Sequence, residues 1–132
     1  MRIPSSTYRV QLHQQFSFEE LKAIIHYLHE LGISAIYAAP IGSATPGSMH
    51  GYDVTDPNRI NPEVGTRKEM REIFELLREK DIIWIQDIVP NHMAFSTHNT
   101  RLMDVLERGS VSPYYRYFDI DWEHESKELH GK

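Results

Sequence analysis

The sequence contains no cysteine, no apolar run long enough to span a bilayer and no block of basic residues. Without cysteine there is no disulfide framework and no thiolate to act as nucleophile or metal ligand, a usage that fits a reducing compartment. No stretch approaches the roughly 18 apolar residues of a membrane span. The opening segment MRIPSSTYRVQLH also lacks the apolar centre of a secretory leader, so a cytoplasmic location and no membrane partner are expected. With 14 Lys and Arg against 19 Asp and Glu, net charge −5, the chain carries no electrostatic footprint for nucleic acid. Neutral or small-molecule partners are favoured.

What is present is an ordinary globular composition: 132 residues, 40% hydrophobic and 25% charged, enough for one small domain. Strand and helix patterns alternate. In Ser5 to His13, Tyr8, Val10 and Leu12 recur at period two and predict a first strand. Ser17 with Glu20 forms a capping-box pattern, Phe16 and Leu21 are spaced to staple the entry, and Leu21, Ile24, Ile25, Leu28 and Leu31 follow at helical spacing. A helix over 18–31 is predicted, closed by Gly32.

ISAIYAAP, Ile33 to Pro40, reads as a strand covered on both faces. Thr66 with Glu69 repeats the capping box ahead of the stripe Met70, Ile73, Phe74, Leu77, and Lys80 ends the helix favourably for its dipole. The run IIWIQDIVPNH, Ile82 to His92, then predicts a third strand. Alternation of this kind implies an α/β fold with a parallel βαβαβ sheet and right-handed crossovers. Beyond His92 the pattern weakens to a short helix over 101–108, closed by Gly109, and an irregular aromatic-rich segment.

Two features single out one rim of that sheet. The connection from Pro40 to Thr66 is far longer than the roughly 2–6 residues usual for such a loop. Its anchors Ile41, Met49, Tyr52, Val54, Ile60 and Val64, and its turn formers Thr55-Asp56-Pro57-Asn58 and Asn61-Pro62, predict an ordered loop. The second feature is Asp87, a carboxylate inside an apolar run, which is costly without partners. Both follow the C-terminal ends of strands, the edge at which parallel α/β folds bind ligands.

These residues carry a family resemblance. DIVPNH, Asp87 to His92, resembles the signature at the end of the third barrel strand in the alpha-amylase family of glycoside hydrolases. HGYDVTD, His50 to Asp56, resembles the loop that supplies that family's stacking tyrosine. IPSSTYRVQLH, PGSMHGYDVTDPNRINPEVG and SPYYRYFDIDW together resemble the N-terminal portion of the family's maltooligosyltrehalose synthase subgroup, in order and over essentially the whole chain.

The resemblance implies the opening part of a (β/α)8 TIM barrel over residues 1–95 and the start of an inserted subdomain after strand three over 96–132. It implies conversion of the reducing-end α-1,4 bond of a maltooligosaccharide into an α,α-1,1 bond. Retaining chemistry of this kind uses a carboxylate nucleophile and an acid/base about 5 Å apart. Tyr52 would stack under the sugar at the cleavage point, His92 would hydrogen-bond the same sugar, and His50 and Asp53 would reach neighbouring hydroxyls. Asp87 would support the centre without being the nucleophile, and Asn91 matches a position that ligates calcium in many alpha-amylases, a metal not extended to this subgroup. No cofactor or metal is therefore expected.

The family's catalytic carboxylates lie on later strands than the three legible here, so no catalytic residue is assigned and the isolated chain is expected to be inactive. Whether the chain acts within an enzyme or as a non-catalytic maltooligosaccharide-binding or packing module stays open at this level. Exposed edges on strands one and three predict a homo-oligomer, or pairing with a missing barrel portion. His26 and His29 lack a local third ligand, Glu19, Glu20, Glu69, Glu72 and Glu75 read as capping or solvated groups, and Tyr114, Tyr115, Tyr117, Phe118 and Trp122 read as core of the inserted segment, with a platform for stacking sugar rings as the alternative.

Overall fold

The computed structural model describes residues 3–128. It divides into two compact units, Met1–Asn99 and Thr100–Lys132. In the first, strands β1 (Thr7–Val10), β2 (Ala35–Ala38) and β5 (Ile83–Gln86) form a parallel sheet in the order β1-β2-β5. Helices α1 (Phe18–Glu30) and α2 (Arg67–Glu79) make the two crossovers. This is the predicted βαβαβ unit, with each strand shorter than its apolar pattern.

The helices form where their caps place them. The Ser17 side chain accepts from the α1 backbone while Glu20 accepts from the Ser17 N–H at 2.8 Å, and Thr66 with Glu69 repeats the arrangement at 2.7 Å. These bonds hold both glutamates below the usual carboxylate range, the Ser17 and Thr66 side chains contributing most. Both helices also end alike. Gly32 at φ 81° sends its N–H to His29 and the next N–H to Leu28, and Asp81 at φ 57° does the same toward Arg78 and Leu77. The second helix ends at Lys80, as expected from sequence; the left-handed position usually given to glycine is held there by an aspartate.

Phe18, Leu21, Ile25 and Leu28 of α1 pack with Ile73 and Leu77 of α2 against Val10, Leu12, Ile36 and Ala38 of the sheet. Full burial of each large side chain contributes about 1.5–3 kcal/mol relative to exposure. His26 accepts a hydrogen bond from Lys80 at 3.3 Å, so it serves the contact between helix ends. Coverage on both faces does not extend to the third strand of the sheet. Ile85 is 36% and Ile88 67% exposed, because β5 is an edge of the sheet, whereas β2 at its centre is covered on both faces, with Ile36 and Ala38 toward the helices and Ala35 buried on the other side.

The long connection is ordered, and it contains more regular structure than its turn residues suggest. β3 (Gly42–Ala44) and β4 (Val54–Ile60) pair antiparallel. Thr55-Asp56-Pro57-Asn58 lies within β4 instead of forming a separate turn. Its turn chemistry survives as a bulge: Gly42 pairs with Ile60 and Ser43 with Asp56, and Asp56 accepts from the Asn58 N–H at 3.0 Å. Pro57 is tolerated because it falls in the bulged segment, where no ladder donor is required.

In the second unit, α3 (Thr100–Arg108) leads into short 3-10 turns at Gly109–Val111 and Tyr115–Tyr117. Asp104 accepts from Ser112 at 2.5 Å and from Arg108 at 3.3 Å. The aromatic residues here pack in pairs, Tyr114 edge-on to Tyr117 and Tyr115 stacked on Trp122, but none is buried and Tyr117 is 63% exposed. They are rings stacked at a surface, not a closed core.

Candidate functional site

Strand alternation sends Val10, Ile36 and Trp84 toward the helices, so Arg9, Tyr37 and Ile85, which share one register row, face the opposite side of the sheet. Asp87 follows on that same side just past β5, its N–H bonded to the Ala38 carbonyl at 2.9 Å. The strand ends at this rim where Gln86 turns its amide onto the carbonyls of Ala39 and Asp87, at 3.0 and 2.8 Å.

The loop between β3 and β4 brings Tyr52 over the same rim. Gly51, at φ 74°, makes the approach possible: a Cβ there would lie 2.7 Å from the Pro40 carbonyl oxygen, closer than any side chain permits. Asp53 braces the loop by accepting from the Ser48 hydroxyl, and its own carbonyl accepts from the Thr45 N–H at 3.1 Å. His50 stacks near Tyr52 with ring centres 6.1 Å apart and 25° between planes. Its Nδ1 accepts from the Tyr52 N–H at 3.1 Å and lies 3.7 Å from the Asp53 carboxylate.

The centre of the site is a hydrogen-bonded chain. Tyr52 donates its hydroxyl to Asp87 at 2.5 Å and accepts from Arg9 at 3.2 Å. The other arm of the Arg9 fork donates to Gln11 at 3.0 Å, and Gln11 donates to the His50 carbonyl at 3.1 Å. The Tyr52 bond holds the Asp87 carboxyl below its ordinary value, against a desolvation that acts the other way, with Tyr37 and the Arg9 charge assisting. Reciprocally, hydrogen bonding to Asp87 and partial burial push the Tyr37 phenol up. Asp87 thus has a close hydrogen-bond donor in Tyr52, which offsets the cost of a carboxylate at the end of an apolar strand.

A groove of about 340 Å³, lined by Pro40, Ile41, Val54, Pro57, Ile88 and Val89, opens beside Asp87 at the strand ends. Asn91 and His92 lie on the exposed segment that follows, and their side chains bond each other at 3.2 Å. Of the residues singled out from sequence, Tyr52, Asp87, His50 and Asp53 are brought together, while Asn91 and His92 make no hydrogen bond to that group among the described residues. Among the described residues no three His, Asp or Glu side chains converge as a metal site. No helix among them is long and apolar enough to cross a membrane.

Sequence reasoning missed Arg9, Gln11 and Tyr37. The signal existed: if Val10 and Leu12 face the core, Arg9 and Gln11 must face the other side, which in a parallel α/β sheet leads to the ligand-binding rim.

Comparison with known proteins places this arrangement in context. Residues 19–129 match the family model for the alpha-amylase catalytic domain. A Mycobacterium tuberculosis protein named as a maltooligosyl trehalose synthase is 40% identical over 125 residues, covering 89% of this chain and 16% of that protein. Among solved structures, a maltooligosyl trehalose synthase superimposes with a TM-score of 0.89 at 47% identity, covering 94% of this chain and 17% of that one. The maltooligosyltrehalose synthase of Arthrobacter ramosus gives 0.87 at 40% identity, covering 91% and 16%. The chain therefore spans about a sixth of the length of these relatives, and its parallel sheet with helices matches the corresponding part of their barrel domain.

Proposed function

The chain belongs to the alpha-amylase family, and from that membership we propose that it forms the N-terminal portion of a maltooligosyltrehalose synthase, contributing part of the sugar-binding rim of the barrel. The substrate in this reading is a maltooligosaccharide. The reaction breaks the α-1,4 bond at its reducing end, with the glycosyl group passing to a carboxylate on a later barrel strand and the acid/base protonating the leaving oxygen. The freed glucose then attacks the glycosyl–carboxylate intermediate through its anomeric hydroxyl, whose own proton passes to the same acid/base while the carboxylate leaves, and the α,α-1,1 bond is closed.

The observation that carries this reading is the placement of Tyr52. Its hydroxyl is engaged on both sides, donating to Asp87 and accepting from Arg9, so the ring face is the part left to meet a ligand. A flat aromatic face held at the strand-end rim suits an apolar sugar face. Asp87 is the acceptor that orients the ring and does not itself attack the sugar. His92, on an exposed segment beside the rim, is assigned to a hydroxyl of the same sugar, with His50 and Asp53 shaping the loop around it.

Calorimetric titration of maltopentaose into the wild-type chain, Tyr52→Ala and His92→Ala tests the sugar reading. Saturable binding that Tyr52→Ala abolishes and His92→Ala weakens is expected. A wild-type chain with no saturable binding, or one whose affinity ignores Tyr52, overturns the assignment of this rim. Turnover is expected only from a polypeptide that also carries the later barrel strands.

A further inference from the structure

We propose that Arg9 is a positioning residue of the sugar rim, its guanidinium fork fixing the orientation of Tyr52 against Asp87 while lying on the Tyr37 ring. This rests on the reading of Tyr52 as the sugar platform and adds to it the group that holds the platform still.

Arg9 is on β1, directly across from Tyr37 on β2, and its guanidinium carbon lies 5.8 Å from the centre of the Tyr37 ring. From there one arm donates to Gln11 at 3.0 Å and the other to the Tyr52 hydroxyl at 3.2 Å. A tyrosine hydroxyl has one proton to give, and Tyr52 gives it to Asp87. With Arg9 donating to the hydroxyl oxygen from the other side, the phenol is fixed in both directions. Gln11 continues the arm to the His50 carbonyl, so the same guanidinium also ties down the backbone two residues before Tyr52.

The geometry calls for arginine in particular. A planar fork can serve Gln11 and Tyr52 at once while its face rests on Tyr37, whereas an ammonium presents a point charge with no face to stack. The positive charge has a second effect at Asp87, where it favours the ionised form that accepts the Tyr52 proton. Orientation and charge are therefore separable. Lysine keeps the charge and loses the fork, and glutamine loses the charge.

Nuclear magnetic resonance of the chain with carbon-labelled tyrosine and aspartate, on wild type, Arg9→Lys and Arg9→Gln, reads both effects without any sugar. In Arg9→Gln the Asp87 carboxyl should titrate at higher pH and the contacts between the Tyr52 and His50 rings should weaken. In Arg9→Lys the Asp87 titration should stay near wild type while the ring contacts weaken. Circular dichroism confirms that each variant is folded, and a variant that does not fold shows Arg9 to be a stability residue and overturns the positioning role. Unchanged Tyr52 contacts and Asp87 titration in folded Arg9→Gln also overturn it. Maltopentaose affinity is measured alongside, with about a tenfold loss expected in Arg9→Gln, the scale of one hydrogen bond to a charged group. If the wild-type chain binds no sugar, the functional reading fails, while the resonance data still decide the role of Arg9.

Discussion

The hydroxyl of Tyr52 and the carboxylate of Asp87 are 2.5 Å apart although 35 positions separate them in the chain. One comes from a loop inserted between two short antiparallel strands, the other from the residue just past the edge strand of the parallel sheet. Their contact joins the two segments that carry the family signatures.

Removing only the hydroxyl separates the two jobs of Tyr52. In Tyr52→Phe the ring remains, and Asp87 loses the donor that contributes most to its lowered pKa. A carboxyl held below its unfolded value contributes stability that is fully present above the unfolded pKa and lost as pH falls through the folded one. Tyr52→Phe should therefore be less stable than wild type at neutral pH, with the difference shrinking under strongly acid conditions. Urea melts across that pH range check this. A difference that stays constant with pH would show the hydroxyl acts by packing alone.

Gly51→Ala should displace Tyr52. The new methyl would meet the Pro40 carbonyl oxygen at 2.7 Å on a backbone already at φ 74°. The expected loss exceeds the roughly 1 kcal/mol scale of ordinary glycine-to-alanine effects, with the opposite sign. Denaturant midpoints measure the loss, and weakened contacts between the His50 and Tyr52 rings report the displacement.

Thr66→Ala removes the hydroxyl that caps α2 and bonds Glu69. A loss of about 1 kcal/mol is expected, as for other N-cap deletions. The Glu69 carboxyl, now below its ordinary value because of Thr66, should titrate higher in the variant. Thermal melting and carboxyl resonances provide the two readings.

The outer edge of β5 and the exposed side chains of Ile85 and Ile88 form an open flank on the first unit. Unpaired strand edges with apolar neighbours recruit further strands. Light scattering of the chain should show mass rising with concentration, and Ile88→Lys should reduce that rise. A constant monomer mass for wild type would show that the flank does not associate.

Much of the fold was readable because its causes are local. The capping boxes at Ser17 and Thr66 and the apolar stripes behind them act within one or two helical turns, and both helices begin where those residues predict. The end of α2 at Lys80 was readable too, but the left-handed Asp81 after it was hidden, because that backbone is imposed by the turn and not advertised by a glycine. The hairpin was hidden for a related reason. Its pairing skips from Ile60 to Asp56 across a bulge, so β4 lacks the regular alternation that marks a strand.

The sequence by itself determined the α/β class, the order of crossovers and the two segments that hold Tyr52 and Asp87. These follow from side-chain period, cap chemistry and signature residues, all of which are properties of short segments. Only the tertiary structure decided that Asp87 accepts from Tyr52, that Asp53 braces its own loop, and that Arg9 completes the cluster. Those facts depend on which strands lie side by side and in which register. A hydrogen bond is directional and short-ranged, so it exists only once the sheet has set distant residues within about 3 Å of one another.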